Sequence, residues 1–384
     1  MKTAYFDNAA TTFPKPEEVY RFMDTFYRDF GVNVGRGQHK LAATAAALVS
    51  ETRKLVLDLN HCPNKVVVFT PSATEALNII LQSLICKDNL NIYISPFEHN
   101  AVTRVINYAT RVFNVNVFTL DFDKTSYTYN LEKIKHQFAE IEPNLVVVSQ
   151  ASNVCGVVAP IAEICALSKP YDAVNVIDMC QTMGLIDTNL NSENIDYAIF
   201  AAHKTLYGAF GLGGFICAAD KRPRPLLYGG TGVDSVNPLL PDQMPERYEV
   251  GSQNIQTIAG LNAALKWGKT LGISKIYKTE QAHFRRLTAL LKQYDNIKMF
   301  TPHEKEKGIG VISTVFDGLG SDNVGQILNE RDVAVRIGLH CAPNAHRFLG
   351  TFPAGTVRFS VGYFNTDEDF ERLDEALNYI YENS

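Results

Sequence analysis

Two polar residues stand at the ends of apolar runs. Asp178 closes Val174-Asn175-Val176-Ile177-Asp178, and 26 residues downstream Lys204 follows Phe200-Ala201-Ala202-His203. Each run reads as a buried strand that delivers its polar tip to one edge of a sheet. A lysine there can form an imine with an aldehyde cofactor, and an aspartate can hold a pyridine nitrogen protonated. Singly, each has an ordinary reading: a surface lysine and a helix-capping aspartate. As a pair they point to pyridoxal 5'-phosphate.

Other residues are spaced to serve the same chemistry. Val68-Phe69-Thr70-Pro71-Ser72-Ala73-Thr74-Glu75 runs from strand through small residues into a helix. The first N–H groups of such a helix and its positive dipole end suit a phosphate. A plain N-cap at Ser72 or Thr74 explains the same residues. His203 offers the phosphate a further donor. His99, just past a strand ending at Ser95, carries an imidazole that can stack on a pyridine ring and move protons; the same residue in a loop is equally at home in solvent. Gln181, one helical turn beyond Asp178, can donate to a phenolic oxygen. Asn153 follows the run 145–149 and falls at the same sheet edge. Arg358 lies among apolar neighbours in Thr356-Val357-Arg358-Phe359-Ser360, where a guanidinium wants an anion. A substrate carboxylate held in bidentate fashion satisfies it, and so does an internal Asp or Glu.

The elements that must position these residues alternate along the chain. After a turn-rich start, helices are expected at 17–28 and 42–59. Strand and helix then follow in turn: 66–70 and 75–85, 92–95 and 101–111, 115–120 and 131–138. Short apolar runs at 145–149, 174–178, 197–200 and 214–217 complete the set. This is the pattern of a mainly parallel sheet covered by helices on both faces, an α/β fold. Residues 218–255 are rich in Gly and Pro and read as a long functional loop. A connecting helix at 258–269 leads to strands at 310–316, 333–336 and 356–361, with helices at 322–330 and 367–382. The last helix opens on a capping box, Thr366-x-x-Asp369. A large domain over 17–257 and a smaller α+β domain made of 1–16 and 258–384 are expected.

Composition narrows the function classes. The 384 residues are 46% hydrophobic and 20% charged, with a net charge of -5, which gives no electrostatic case for nucleic acid. No apolar run approaches the ~20 residues that span a membrane, and the first residues lack a signal-peptide core, so a cytoplasmic protein is expected. The seven cysteines (62, 86, 155, 165, 180, 217 and 341) form no Cys-x-x-Cys pair, so no metal site is expected. Most sit in apolar surroundings, Ile85-Cys86 among them, and read as small buried hydrophobes. Cys341 is different: Gly338-Leu339-His340 before it and Ala342-Pro343-Asn344 after it make a turn-forming context with an accessible thiol.

Eight ordered segments resemble the class V aminotransferase fold of pyridoxal-phosphate enzymes, within it the cysteine desulfurase and selenocysteine lyase-like branch. They are Tyr5-Phe6-Asp7-Asn8-Ala9-Ala10-Thr11-Thr12, Asn33-Val34-Gly35-Arg36-Gly37-Gln38-His39, Thr74-Glu75-Ala76-Leu77-Asn78, Glu98-His99-Asn100, Asp178-x-x-Gln181, His203-Lys204-x-x-Tyr207-Gly208, Glu249-x-Gly251-Ser252-x-Asn254 and Arg336-x-Gly338-x-His340-Cys341-Ala342. The resemblance covers almost the whole chain. It implies fold-type I architecture, with a seven-stranded sheet in the large domain.

Position by position, the resemblance implies Lys204 as the cofactor's covalent anchor, Asp178 on the ring nitrogen and Gln181 on the phenolic oxygen. His99 would stack over the ring, and Ala73, Thr74 and His203 would hold the phosphate. Ser252 would reach the phosphate of a neighbouring subunit, which makes a homodimer part of the site. Arg358 and Asn153 would bind the substrate carboxylate, and Cys341 would accept sulfur, its thiol activated near His340 and cationic neighbours. Two departures stand out: Ala201 and Ala73 replace hydroxyl residues usual in the family, so that either cofactor affinity is lower or backbone groups and Ser72 compensate. The short context of Cys341 resembles the branch with a compact catalytic loop. The implied activity is a cysteine desulfurase that turns L-cysteine into L-alanine, forms a persulfide on Cys341 and passes sulfur to an acceptor protein, as in iron–sulfur cluster assembly. A selenocysteine lyase or a cystine or cysteine C–S lyase uses the same fold, and a non-catalytic cofactor-binding scaffold is a further class.

Overall fold

The computed structural model describes residues 3–34, 37–233, 236–304 and 307–383. Gly35 and Arg36 of the second family-like segment lie outside them. The chain begins with β1 (Ala4–Tyr5), α1 (Glu17–Phe30) and α2 (Lys40–Leu59). Alternation follows: β2 (Val66–Thr70), α3 (Ala73–Leu84), β3 (Leu90–Ile94), α4 (Asn100–Val112), β4 (Val115–Thr119), a small hairpin of β5 (Phe122–Asp123) and β6 (Thr128–Tyr129), α5 (Leu131–Glu140), β7 (Leu145–Ser149), α6 (Ile161–Ser168), β8 (Val174–Asp178), β9 (Tyr197–Ala201) and β10 (Gly213–Cys217). The remainder comprises α7 (Ile255–Leu271), α8 (Ile273–Leu291), β11 (Ile297–Phe300), β12 (Val311–Phe316), α9 (Ser321–Glu330), β13 (Val333–Ala334), β14 (Arg336–Gly338), α10 (Pro343–Leu349), β15 (Thr356–Ser360) and α11 (Asp367–Glu382).

Seven strands form the main sheet in the order β2-β10-β9-β8-β7-β3-β4, with β10 antiparallel to both its neighbours and the other pairings parallel. Every residue of β7, β9 and β10 is buried, because helices cover both faces and each Val or Ile finds an apolar neighbour whichever way it points. The two-residue period of β7 shows the division. Val146 and Val148 face a core shared with Phe26, Val49 and Val56 of α1 and α2, while Leu145 and Val147 face one shared with Ile80 of α3 and Ile106 of α4.

A four-stranded antiparallel sheet, β11-β12-β15-β14, carries a third core with α8, α9 and α11, in which Phe284, Ile312, Phe359 and Leu373 are fully buried. The N-terminus joins it: β1 pairs in parallel with β13, and Asp7 bridges to Ser360. The expected strand at 333–336 is broken in two. Its first half pairs with β1, while Arg336 opens a second strand that pairs with β15, opposite Arg358. The domain boundary expected at 257–258 falls inside α7, whose Ile258, Leu261 and Leu265 pack into the first core. The capping box of α11 is present, with the Thr366 hydroxyl accepting from Asp369 N–H and the Asp369 carboxylate from Thr366 N–H. No described helix is long and apolar enough to cross a membrane.

Candidate active site

The strands of the main sheet that run parallel end at one edge, which is where open α/β sheets gather their functional groups. Asp178 is the last residue of β8 and lies opposite Ser149, the last of β7. Thr70 of β2 and Ala201 of β9 both flank Gly213 of β10, so the turn into α3 and the His203-Lys204 turn emerge side by side. A Cβ on Gly213 would sit 2.5 Å from the Ala73 amide nitrogen, so this glycine lets the two turns close up. Between them lies a cavity of about 330 Å³, lined by Lys204, Asp178, Gln181, His99 and Asn153, by Ala73, Thr74 and His203, and by Arg336, Cys341 and Arg358. Residues up to 349 positions apart therefore meet in one place: Ala9 and Arg358 mark the extremes of its lining. Ser252 is the one expected site residue that does not line this cavity. Its hydroxyl accepts from Asn33 Nδ2 at 3.4 Å, on the surface.

The groups around the cavity suit pyridoxal phosphate. The N–H groups of Ala73 and Thr74 begin α3 and precede its first internal bonds, leaving them for an anion. Ser72 caps the helix by accepting from Glu75 N–H at 3.2 Å, and the hydroxyl proton stays available to a phosphate. These backbone and Ser72 donors stand where Ala73 and Ala201 offer no hydroxyl. His203 stacks on Phe210 with 4.6 Å between ring centroids, and its Nδ1 is buried without a partner. Burial, with the Lys204 and Lys15 ammoniums, pushes its pKa down to about 3, so the ring is a neutral donor. Lys204 Nζ has no hydrogen-bond or ion-pair partner among the described residues, which leaves it free for an aldehyde. Asp178 is buried and accepts from Cys180 N–H at 2.9 Å, while Gln181 donates to the Ala9 carbonyl at 2.8 Å.

His99 is fixed more tightly than its loop position suggested. Its Nδ1 caps α4 by accepting from Ala101 N–H at 3.0 Å. Burial, and next the Lys204 ammonium, lower its pKa to about 4. A neutral ring that accepts at Nδ1 carries its proton on Nε2, so His99 is a donor rather than a free base. Arg358 is buried and satisfies both of its open readings in part. Nη2 pairs with Asp7 at 2.5 Å and Nη1 donates to the Asn153 carbonyl at 3.0 Å, while Nε is buried without a partner.

Cys341 follows His340, and both have positive φ, +58° and +46°. For residues with a Cβ that conformation costs energy, and specific bonds hold it. Asn100 N–H donates to the Cys341 carbonyl and Asn153 Nδ2 to the His340 carbonyl, both at 2.7 Å. The half-buried Sγ accepts from Arg336 Nη2 at 3.5 Å. His340 supplies no charge here. It is buried against Thr356 Oγ1, and burial with Arg358 pushes its pKa down to about 2. The cation that faces the thiol is thus Arg336, for which the sequence alone marks no role. Five of the other cysteines are buried as expected; Cys86 is exposed, because it leaves α3 just past the Ile85 cap.

Two buried carboxyls and a lysine were also missed. Glu98 takes hydrogen bonds from Ser95 Oγ, Ser149 N–H and Ser149 Oγ beneath the site, and burial raises its pKa to about 7. Lys15 Nζ, buried enough to be lowered to about 7, donates to the His203 carbonyl at 2.6 Å and to Thr12 Oγ1 at 2.8 Å. It ties the N-terminal segment to the turn that carries Lys204. Glu280 of α8 accepts from the Tyr207 hydroxyl at 2.7 Å and fixes the far end of that turn. No sequence signal marks Glu280, since it lies in a stretch of mixed charges to which the sequence assigns no element.

Burial lifts the Glu280 pKa to about 7, above its unfolded value, so the native state binds this proton more tightly. The resulting stability is complete below about pH 4.5 and is lost as pH rises to about 7. Thermal unfolding between pH 5 and 8 should show the wild type losing roughly 1–3 kcal/mol that Glu280→Gln does not lose. An identical pH slope in the variant would place the effect elsewhere.

The description of the aminotransferase class-V family matches residues 4–373. A protein of Methanothermobacter thermautotrophicus called a probable cysteine desulfurase is 28% identical, over 98% of this chain and 94% of its own. A probable cysteine desulfurase of Pyrococcus abyssi is 30% identical, over 97% of this chain and 92% of its own. Among solved structures, the apo cysteine desulfurase of Thermococcus onnurineus superposes with a TM-score of 0.91 at 27% identity, covering 100% of this chain and 95% of that one.

Proposed function

The chain belongs to the aminotransferase class-V family, and from that premise we propose that it is a pyridoxal 5'-phosphate-dependent cysteine desulfurase, which releases L-alanine from L-cysteine and keeps the sulfur as a persulfide on Cys341. The observation that carries this reading is the position of the Cys341 thiol, in one cavity with Lys204 and Asp178. Cys180 also lines that cavity, but it is buried and burial holds its thiol well above the usual range, so it is the wrong nucleophile.

When bound, pyridoxal phosphate supplies an electron sink that labilises bonds at the α- and β-carbons of an amino acid. Around it, Lys204 would anchor the cofactor covalently, and its free amine would serve as base at the substrate α-carbon. Asp178 would keep the ring nitrogen protonated, and Gln181 and His99 would orient the ring, His99 through its Nε2 proton. The α3 N-terminus and His203 would hold the phosphate. Arg358 Nε and the Asn153 amide bind the substrate carboxylate. Cys341 Sγ then attacks the substrate sulfur: the S–S bond forms, the Cβ–S bond breaks, and its electron pair stays on the carbon fragment. That fragment takes up one proton at Cβ, regains the α-proton from Lys204 and leaves as alanine. Peptide mass spectrometry after turnover with L-cysteine should find one extra sulfur on the Cys341 peptide and on no other. Alanine formed without any sulfur on Cys341 would sink the reading.

Ser252 acts in the partner subunit's site within a homodimer, on this reading. Its loop shows apolar groups that a lone subunit leaves in water, with Val236 95% exposed, Leu239 74% and Tyr228 73%. Sedimentation at assay concentration should give a dimer, and Ser252→Ala should weaken cofactor retention by about tenfold, as loss of one hydrogen bond to a charged group does. A fully active monomer contradicts this arrangement. Free thiols throughout the described residues and a thiol nucleophile fit a reducing cytoplasm. A separate protein takes the sulfur.

A further inference from the structure

Cys341 stands in a wall between two cavities. One is the cofactor cavity. The other, about 530 Å³, is lined by α4, α10 and the catalytic loop, and Arg336, His340 and Cys341 line both. Its floor is one polar face of α4: Asn100, Arg104 and Asn107 recur at helical spacing on the side away from buried Val102, Val105 and Ile106. Its far side is α10, with Asn344 and Arg347, and β14 closes it with Arg336.

The charge in this outer basin is of one sign. Arg104, Arg336 and Arg347 all line it, no carboxylate does, and among the described residues none of the three makes an ion pair. Arg336 bonds instead to Cys341 Sγ, and Arg347 lies over the Phe352 ring at 4.0 Å with its head exposed. The contrast across one sheet rung is informative: Arg358, which pairs with Arg336 in register, is neutralised by Asp7, whereas Arg336 is left to face the sulfur. A solvated helix face usually intersperses both signs, and this one does not, although the chain as a whole carries a net charge of -5.

We propose that this basin is the docking site for the sulfur acceptor, and that the acceptor presents its thiol on a short acidic polypeptide segment. The basin follows α4 for two turns, about 10 Å, and is open along Arg104, Asn107 and Arg347. A loop laid along it fits that shape, whereas small molecules are held in sites that enclose most of their surface. The inference rests on persulfide formation at Cys341. In the transfer, the acceptor thiolate attacks the outer sulfur, a new S–S bond forms, the bond to Sγ breaks, and Cys341 departs as thiolate beside Arg336. No external oxidant or reductant takes part.

The test begins with holoenzyme charged by L-cysteine, followed by discharge with cysteine peptides flanked by glutamates, by serines or by lysines. Loss of the extra sulfur from Cys341 is timed by mass spectrometry, with rates corrected for thiolate fraction. The acidic peptide should discharge about tenfold faster than the serine peptide at low ionic strength, the lysine peptide slower, and salt should close the gap. Arg104→Gln with Arg347→Gln should erase the acidic advantage while alanine formation stays at the wild-type rate. Charge-blind discharge, or an advantage that survives in the double variant, overturns the proposal. Mercaptosuccinate discharging as fast as the acidic peptide overturns it too, in favour of a small anion. Should no extra sulfur appear on Cys341, the desulfurase reading itself has failed. Alkylation of the holoenzyme still decides the basin: iodoacetate should gain on iodoacetamide at Cys341 relative to exposed Cys86, and only when Arg104 and Arg347 are present.

Discussion

Lys204→Ala eliminates covalent attachment of the cofactor and lowers alanine formation from L-cysteine by at least about 10²–10⁴-fold, the contribution of a positioned base alone. The fold should tolerate the change. Lys204 Nζ makes no bond among the described residues, and the turn is held by main-chain contacts: the Thr12 hydroxyl to the Lys204 carbonyl at 3.0 Å, the Thr11 hydroxyl to the His203 carbonyl at 2.8 Å, and Lys15 to the same oxygen. Thermal unfolding should therefore shift by only a few degrees, as for substitutions that break no packing or network. Borohydride reduction of the wild type, then peptide mapping, supplies the direct readout. A reduced cofactor on any other lysine refutes the assignment, and so does near-normal turnover in the variant.

Cys341→Ser separates the desulfurase from its relatives on the same fold. Cofactor binding and colour should persist, because neither needs a thiol and the backbone of the loop is held by Asn100 and Asn153. Persulfide formation should vanish and alanine release from L-cysteine should drop about 10³-fold or more, since the hydroxyl is a far weaker nucleophile towards sulfur than a thiolate. Selenocysteine is the informative second substrate, because selenium is the better leaving group and can depart without nucleophilic help. Selenocysteine cleavage that survives alongside lost desulfuration is the expected pattern. Full desulfuration by Cys341→Ser would eliminate the persulfide route and promote the C–S lyase.

The elements were legible wherever local pattern and tertiary demand agree. Strands β2, β7 and β8 stand at the expected residues because five-residue runs dominated by Val and Ile and closed by a polar residue are too short for a helix and carry the β-branched enrichment of buried strands. Helices α6, α8 and α10 were not read. In α6 all positions but Glu163 are small or apolar without a clean period, α10 is only two turns long, and α8 mixes charges with its stripe. The break between β13 and β14 was equally hidden, since it reflects two different pairing partners and not a turn signal.

By itself the sequence determined which groups can do chemistry and where along the chain each strand would deliver them: Asp178 after β8, Lys204 after β9, His99 after β3, Asn153 after β7. Strand termini are local, and an apolar run that stops at a polar residue announces itself. Only the tertiary structure decided what each group is bonded to once delivered. It gave the Arg358 guanidinium to Asp7, used His99 Nδ1 as a helix cap, left His340 neutral, and set Arg336 against the thiol. The Arg358–Asp7 pair joins residues 351 positions apart and is made by the N-terminal segment closing onto β15. The contacts of His99 and Arg336 are short in sequence, to Ala101 and Cys341, but the burial that neutralises His99 and His340 comes from the surrounding tertiary packing, which no local spacing encodes. The basin behind Cys341 is of the same kind, a surface that exists only because α4, β14 and α10 meet there.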